Sequence, residues 1–284
     1  MTPAEIEQYF QYHNSNIKSL KIGFDEVRDQ IKTLYKTKHG TVFLYSLADN
    51  DNRKITVRQK ELALSRILSG VQVSWAEESI KRLFYETNLF TDRQRDYLLG
   101  QSALDQKWYK TLHVVFCIAY DLVTANDEEC VNINVRMQRR NLGNELVDQY
   151  FELKKIITDF LVPNFSIRNK VQHGEWVFAF EPPRSKDVSN YLTQKITHEN
   201  IVTTTARYTL VNAFYQMIVD LGRFKSNRFA LDSMLTPFEY FYPAYFRKIK
   251  FETTKNANPE LENFISDIVN REIRGATHRS ANAI

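Results

Sequence analysis

The segment 164–176 brings together side chains that can bind a phosphate group and move a proton. Its reactive members are Arg168, Asn169 and His173. The guanidinium of Arg168 stays charged at neutral pH, and its planar fork can hold two phosphate oxygens. Imidazole is the side-chain group that titrates near neutrality, so His173 can serve as a general base or acid. Asn169 can orient His173 or hydrogen-bond a phosphate oxygen.

The spacing of these residues predicts that one chain alone does not complete a compact site. On an α-helix, Asn169 and His173 share a face and are separated by about 40°. Arg168 and His173 are separated by about 140° around the helix and about 7.5 Å along it. Two copies of the helix that cross at a two-fold axis could bring both arginines and both histidines to one groove. We therefore expect a homodimer.

The run Arg168-Asn169-Lys170-Val171-Gln172-His173 resembles the Arg-x4-6-His signature of the HEPN family, in which Arg-Asn-x-x-x-His is the common form. The resemblance extends over roughly residues 100–225. It implies a helical-bundle dimer whose two motifs form one composite, metal-independent endoribonuclease site that needs no cofactor. Arg168, Asn169 and His173 would be its catalytic residues. Attack of the ribose 2′-hydroxyl on the neighbouring phosphorus would leave a 2′,3′-cyclic phosphate and a 5′-hydroxyl.

The same resemblance implies a role in prokaryotic antiviral defence, abortive infection or a toxin system. RNA would be the substrate, and an antitoxin or another defence protein would be the regulating partner. In one branch of the family an antitoxin modifies a Tyr two residues after the His, and Glu175 stands at that position here. Some HEPN proteins keep the fold without the activity. The alternative interpretation is a catalytically silent scaffold that binds RNA or a partner protein.

Other roles also account for the polar residues of this region. Arg168 can be a surface ion-pair partner, and His173 can cap the end of a helix. Asp148 and Glu152, followed by Lys154, mimic the acid–acid–lysine triplet of metal-dependent nucleases. Those carboxylates normally lie on adjacent strands, whereas this stretch has the pattern of an amphipathic helix. The pattern favours solvated helix charges over a metal site.

Basic residues around the motif are candidates for nucleic-acid binding. Arg136, Arg139 and Arg140 would lie on one face of a helix, and Lys170 lies within the motif itself. A solvated basic face explains the three arginines equally well. The net charge of +4 permits an anionic partner without requiring one.

The composition predicts an all-α protein. Only 8 Gly and 7 Pro occur in 284 residues, which is too few for the turns of a many-stranded fold. The sequence contains no phosphate-binding loop, dinucleotide fingerprint, nucleophile elbow or paired zinc histidines. The sequence contains two Cys and no apolar run long enough to span a membrane, and its start is unlike a signal peptide. These features predict a cytoplasmic protein without a membrane span.

The expected architecture is an HEPN-like helical bundle with extra N- and C-terminal helices and one small β-hairpin near 176–197. The expected segments are a helical region at 1–98, the HEPN-like core at 99–230, and C-terminal helices with a basic tail at 231–284. Helices are predicted from a cap at Thr2 to Tyr35, from a cap at Thr56 to Phe84, after Thr91, and over 104–125, 143–161, 164–173, 199–222, 236–250 and 258–273. The hairpin would join the apolar run 176–180 to residues 191–197. Pro163-Asn164 would end the helix over 143–161, and Asn164 would be the N-cap of the short helix that follows. Gly174 would terminate that short helix.

Overall fold

The computed structural model describes residues 1–36, 50–120, 122, 134–136, 142–180 and 187–223. Most of these residues are helical, and within these ranges the only β-structure is an isolated bridge. The all-α prediction is therefore confirmed. The predicted segment 231–284, Arg139 and Arg140 lie outside the described residues. The helices are α1 (Pro3–Lys36), α2 (Asn52–Phe84), α3 (Asp92–Leu99), α4 (Leu104–Ala119), α5 (Asn144–Ile156), a π-helical turn (Ile157–Leu161), α6 (Val162–Gln172), α7 (Asn190–Thr197) and α8 (Ile201–Arg223).

Two helices begin at the capping residues that the sequence predicts. The hydroxyl of Thr2 accepts a hydrogen bond from the Glu5 backbone at 3.3 Å, and the Glu5 carboxylate accepts one from the Thr2 backbone at 2.7 Å. Thr91 and Gln94 exchange the same pair of bonds at the start of α3, at 3.2 and 3.1 Å. Each capping box satisfies backbone N–H groups that have no partner within the helix.

Helix α2 begins earlier than predicted. The carboxylate of Asp51 accepts a hydrogen bond from the Arg53 backbone at 2.8 Å, and the Asp51 carbonyl accepts the Ile55 N–H at 3.0 Å. Asp51 is therefore the N-cap. The predicted cap Thr56 lies inside the helix, where its hydroxyl donates to the Asn52 carbonyl at 2.7 Å. A threonine can satisfy its hydroxyl in this way within a helix, which is why its presence alone does not locate a helix start.

The predicted hairpin near 176–197 is wrong. Residues Asn190–Thr197 form helix α7, and only one antiparallel bridge joins Phe180 to Val188. The Ser189 backbone N–H donates to the Ala179 carbonyl at 2.7 Å beside this bridge. An isolated two-stranded hairpin is marginally stable in water, whereas a helix pairs its own backbone groups. The helix also places Leu192 and Ile196 one turn apart on a single apolar face.

The described residues form two compact units, each built from stretches that are not consecutive in the sequence. The first unit contains Met1–Ser19, the described part of Val73–Ser166, and 208–223. Its core is aromatic: Trp108 and Phe214 stack with 5.8 Å between ring centroids, and Phe116 packs on Tyr150 at 4.8 Å. No helix within the described ranges is both long and apolar enough to cross a bilayer.

The second unit contains 20–36, 50–72, 167–180 and 187–207. Its apolar cluster joins two residues of α6, Ile167 and Val171, to Ala179 and to Ile196 of α7. Trp176 and Leu192 pack against this cluster at its edge. The cluster therefore fixes the helix that carries the Arg–His motif. The division of the chain into segments at residues 98 and 230 stays a prediction.

The second unit also buries charged side chains. Glu199 and Arg207 form an ion pair at 2.9 Å, with side chains that are 3% and 7% exposed. The Thr204 hydroxyl donates to the same carboxylate at 3.3 Å. Burial lowers the pKa of the Arg66 guanidinium, and the charge of Glu199 opposes that effect. Glu199 is thus a counter-charge for two buried cations.

Candidate functional site

The motif helix is part of a longer helical run that contains a proline. Helix α5, the π-helical turn and α6 follow one another without a break from residue 144 to residue 172. The Val162 N–H donates to the carbonyl of Ile157, five residues back, rather than to the residue four back. Pro163 has no N–H, and in an α-helix its ring would clash with the carbonyl of Asp159. The wider turn accommodates it, so the predicted helix break at Pro163-Asn164 is wrong.

Asn164 is consequently not the N-cap that the sequence predicts. It lies within the helical run, with its side chain buried. Its amide nitrogen donates a hydrogen bond to the Phe160 carbonyl, one turn back. The side chain therefore gives a hydrogen-bond partner to a backbone carbonyl of the π-helical turn. A capping side chain does the same for the unpaired backbone groups at a helix end.

The exposed face of α6 carries Asn169 and His173. Ile167 and Val171 are buried in the second unit's apolar cluster, and Asn169 lies about 200° from each of them around the helix. His173, two residues after Val171, is turned outwards for the same reason. Both side chains are exposed. The structure therefore brings these two predicted catalytic residues to one solvent-facing surface.

Arg168 lies on the flank of this exposed face. Its side chain is half-buried, and its guanidinium donates a long hydrogen bond of 3.5 Å to the amide oxygen of Gln172. This partner is one helical turn away, whereas His173 lies on a different side of the helix. A single chain thus presents Arg168 and His173 on neighbouring faces and does not join them in one hydrogen-bonded pair.

Gly174 terminates helix α6, as predicted, and the last helical residue is Gln172. Gly174 has φ +83°, in the left-handed region. Its N–H donates to the Val171 carbonyl at 3.1 Å, and the Glu175 N–H donates to the Lys170 carbonyl at 3.0 Å. These two bonds define a Schellman motif, which satisfies the last carbonyls of the helix. His173 is thereby fixed as the last residue before the chain turns.

Replacing Gly174 with alanine is expected to lower the free energy of unfolding by about 1–2 kcal/mol, because an L side chain is strained at this φ. A Cβ there would meet no atom within 4 Å, so the loss reports on the backbone alone. Gly23→Ala is the matched control, since a Cβ inside α1 also meets nothing within 4 Å. Alanine there should instead stabilise by about 1 kcal/mol. Urea denaturation measures both changes, and changes of the same sign would contradict the strain argument.

Lys170 holds the chain that follows the motif. Its ammonium lies 3.2 Å from the carboxylate of Glu175 and also donates to the Phe180 carbonyl. The same carboxylate accepts the Phe180 N–H at 2.7 Å. Burial alone would raise the pKa of Glu175, but the bonds from Phe180 and Lys170 outweigh it and lower the pKa. Lys170, predicted to contact nucleic acid, is thus engaged in an ion pair within the chain, with Glu175 as its partner.

A second polar site lies in the first unit, between α4, α5 and the segment 134–136. It is a groove of about 780 Å³. Arg136, one of the predicted nucleic-acid contacts, lies in its wall, with its guanidinium carbon 4.7 Å from the ring centroid of Phe151. No local pattern in the sequence marks the other charged residues of the groove, Lys110 and Lys154, as members of a common site. They come from separate helices, and only the fold brings them together.

The carboxylates of the alternative nuclease interpretation, Asp148 and Glu152, lie on α5. Both are exposed and are one helical turn apart. The amphipathic helix predicted for this stretch is confirmed, because Val147, Tyr150 and Leu153 form its buried face. Across the parts of the chain that the structure describes, no three His, Cys, Asp or Glu residues are grouped closely enough to hold a metal ion.

Comparison with known proteins adds no relative. No protein-family model, curated protein or solved structure is matched by this chain. The resemblance to the HEPN family therefore depends on residues 168–173 and on their helical setting.

Proposed function

We propose that this chain is a metal-independent endoribonuclease of the HEPN type. The observation that carries the proposal is the exposed face of α6, where Asn169 and His173 face solvent one turn apart and Arg168 lies on the flank. Two structural features keep this surface in place: the apolar cluster beneath α6 and the left-handed turn at Gly174. A general base and a phosphate-binding cation on one helix are groups that can catalyse the cleavage of an RNA strand.

The proposed reaction uses the nucleophile that RNA itself carries. An imidazole of the composite site removes the proton of the ribose 2′-hydroxyl, and the 2′-oxygen attacks the adjacent phosphorus. The bond from phosphorus to the 5′-oxygen breaks, and that oxygen takes up a proton. The products are a 2′,3′-cyclic phosphate and a 5′-hydroxyl. The guanidinium of Arg168 stabilises the additional charge on the phosphoryl oxygens as the bonds change.

The proposal includes a homodimer, because Arg168 and His173 of one chain face different directions. A cluster of exposed apolar side chains directly after the motif supports it. Phe178, for example, is 57% exposed and Tyr191 is 58% exposed. The antiparallel bridge between Phe180 and Val188 brings the segments 177–180 and 188–191 side by side. Exposed apolar side chains grouped in this way are typical of protein interfaces. The cluster consists of Val177, Phe178, Phe180, Val188 and Tyr191.

The decisive experiment is cleavage of labelled RNA in excess chelator. Wild type is expected to cleave, and His173→Ala is expected to cleave about 100-fold more slowly, in line with the loss of a general acid or base. His198→Ala is the matched control, because His198 is an exposed histidine directly after α7 whose ring hydrogen-bonds the Gln194 carbonyl of that helix at 2.7 Å. It should match wild type. Capture of the cyclic phosphate end identifies the chemistry.

Three results would contradict the proposal. Equal cleavage by wild type and His173→Ala would exclude His173 from the reaction. Loss of wild-type cleavage in chelator would favour a metal-dependent route through residues such as Asp148 and Glu152. RNA binding without any cleavage would favour the silent scaffold. If cleavage occurs as expected, the biological role that we propose is growth arrest in prokaryotic antiviral defence or a toxin system, in the cytoplasm and restrained by a partner protein.

A further inference from the structure

We propose that the groove between α4, α5 and the segment 134–136 binds a nucleotide unit through its phosphate and its base. This inference does not depend on the proposed ribonuclease activity, because none of the motif residues lines the groove. The same chemical unit can arrive as a free nucleotide or as part of an RNA strand. The side chains that carry the inference are Tyr109, Lys110, His113, Arg136, Phe151 and Lys154.

The charge of the groove selects an anion. Lys110, Arg136 and Lys154 supply three cationic groups from three separate segments, and the lining that the structure describes contains no carboxylate. Cations gathered in a concave surface raise the local concentration of anionic ligands. Phosphate is the anion that Arg and Lys hold together most effectively, since Arg can bind two of its oxygens and Lys acts as a point charge.

The size of the groove indicates a ligand larger than phosphate alone. Its volume of about 780 Å³ lies within the range of about 300–1,000 Å³ that is typical of small-molecule sites. An inorganic phosphate would fill only a small part of that space. A phosphate joined to a sugar and a base matches it better.

The aromatic rings of the groove provide a surface for a planar group. The Arg136 guanidinium lies over Phe151 at 4.7 Å, and the Lys154 ammonium lies 5.7 Å from the ring centroid of Tyr109. Tyr109 is itself held by a hydrogen bond of 2.7 Å between its hydroxyl and that of Thr158. Rings next to cations are the arrangement in which proteins stack nucleobases and hold the adjoining phosphates.

A fixed imidazole completes the groove. His113 Nδ1 lies 3.2 Å from the Tyr150 hydroxyl, and His113 Nε2 lies 3.8 Å from the Cys117 sulfur. Burial raises the pKa of Tyr150, and the nearby Cys117 adds to that effect. Both ring nitrogens of His113 thus have partners within the chain, which hold the ring in one orientation in the wall of the groove.

Calorimetry of the 284-residue chain tests the inference with adenosine monophosphate, inorganic phosphate and a short 2′-O-methyl oligoribonucleotide that cannot be cleaved. The variant Lys110→Gln with Lys154→Gln is expected to bind adenosine monophosphate at least about 10-fold more weakly, because two charged contacts are lost. Lys155→Gln is the matched control: Lys155 is the next residue of α5, is exposed and does not line the groove. It should change affinity less than about 2-fold. Circular dichroism checks that each variant is folded.

The probes separate the sources of the nucleotide and the ways in which the inference fails. Tighter binding of the oligonucleotide than of the mononucleotide identifies an RNA strand as the ligand, and the opposite order identifies a free nucleotide. The inference would be overturned if the Lys110→Gln/Lys154→Gln variant and Lys155→Gln lost equal affinity for adenosine monophosphate. It would also be overturned if inorganic phosphate bound as tightly as adenosine monophosphate. Cleavage that depends on His173 would be unaffected by either failure, so the two proposals stand or fall separately.

Discussion

Glu199→Ala is expected to lower the free energy of unfolding by about 3–5 kcal/mol, the range for removing one partner of a buried ion pair. The carboxylate is 3% exposed and pairs with Arg207 at 2.9 Å. Its removal leaves the Arg207 guanidinium in the interior without its ion-pair partner. Arg66, which is also buried, loses the negative charge that offsets its own burial. Both cations then bear an uncompensated desolvation cost.

Urea denaturation at neutral pH measures this change. Glu152→Ala is the matched control, because Glu152 is an exposed carboxylate in the interior of α5 and its loss should alter stability by less than about 0.5 kcal/mol. Arg207→Met in the Glu199→Ala background should recover part of the loss, since the unpaired charge is then absent. A loss below about 1 kcal/mol for Glu199→Ala would show that water reaches the site and that the pair is not buried in solution.

Mixing Arg168→Ala subunits with His173→Ala subunits is expected to restore RNA cleavage to about 10-fold above either variant alone. In a dimer of either variant alone, both subunits lack the guanidinium or both lack the imidazole, so RNA cleavage should be about 100-fold slower than in wild type. A mixed dimer holds one guanidinium and one imidazole, contributed by different chains. Recovery follows only if the two chains share one site, which is the composite arrangement that the proposed function requires.

Subunit exchange is verified by native mass spectrometry before cleavage is measured. The control mixture combines Arg168→Ala with the double variant Arg168→Ala/His173→Ala, whose mixed dimers contain no guanidinium at position 168. That mixture should stay at the parental rate. If verified mixed dimers of Arg168→Ala and His173→Ala subunits also cleave RNA only at the parental rate, the two chains do not share one site. The composite site would then be wrong.

Local signals in the sequence were sufficient for several helix ends. Thr2 with Glu5 and Thr91 with Gln94 form capping boxes from residues three apart, so no tertiary contact is needed to predict them. The end of α6 at Gly174 is predictable for the same reason, since glycine is the residue that most readily adopts the left-handed conformation found there.

Other features depend on contacts that no local pattern contains. Residues 190–197 carry strand-forming side chains, but burial of Leu192 and Ile196 against α6 decides in favour of a helix. Lys170 has the charge of a nucleic-acid contact, and its capture by Glu175 follows from the turn between them. Lys110, Arg136 and Lys154 form one groove only after α4 and α5 have packed.

The π-helical turn before α6 has a consequence for finding relatives of this chain. In a π-helical turn the backbone N–H donates to the carbonyl five residues back, so the turn contains one residue more than an α-helical turn. Here the Val162 N–H donates to the Ile157 carbonyl. A homologue with a regular helix at this place should therefore be one residue shorter between positions 156 and 163. Alignments should open a single-residue gap there, ahead of Arg168, and an ungapped alignment would pair the motif with the wrong columns.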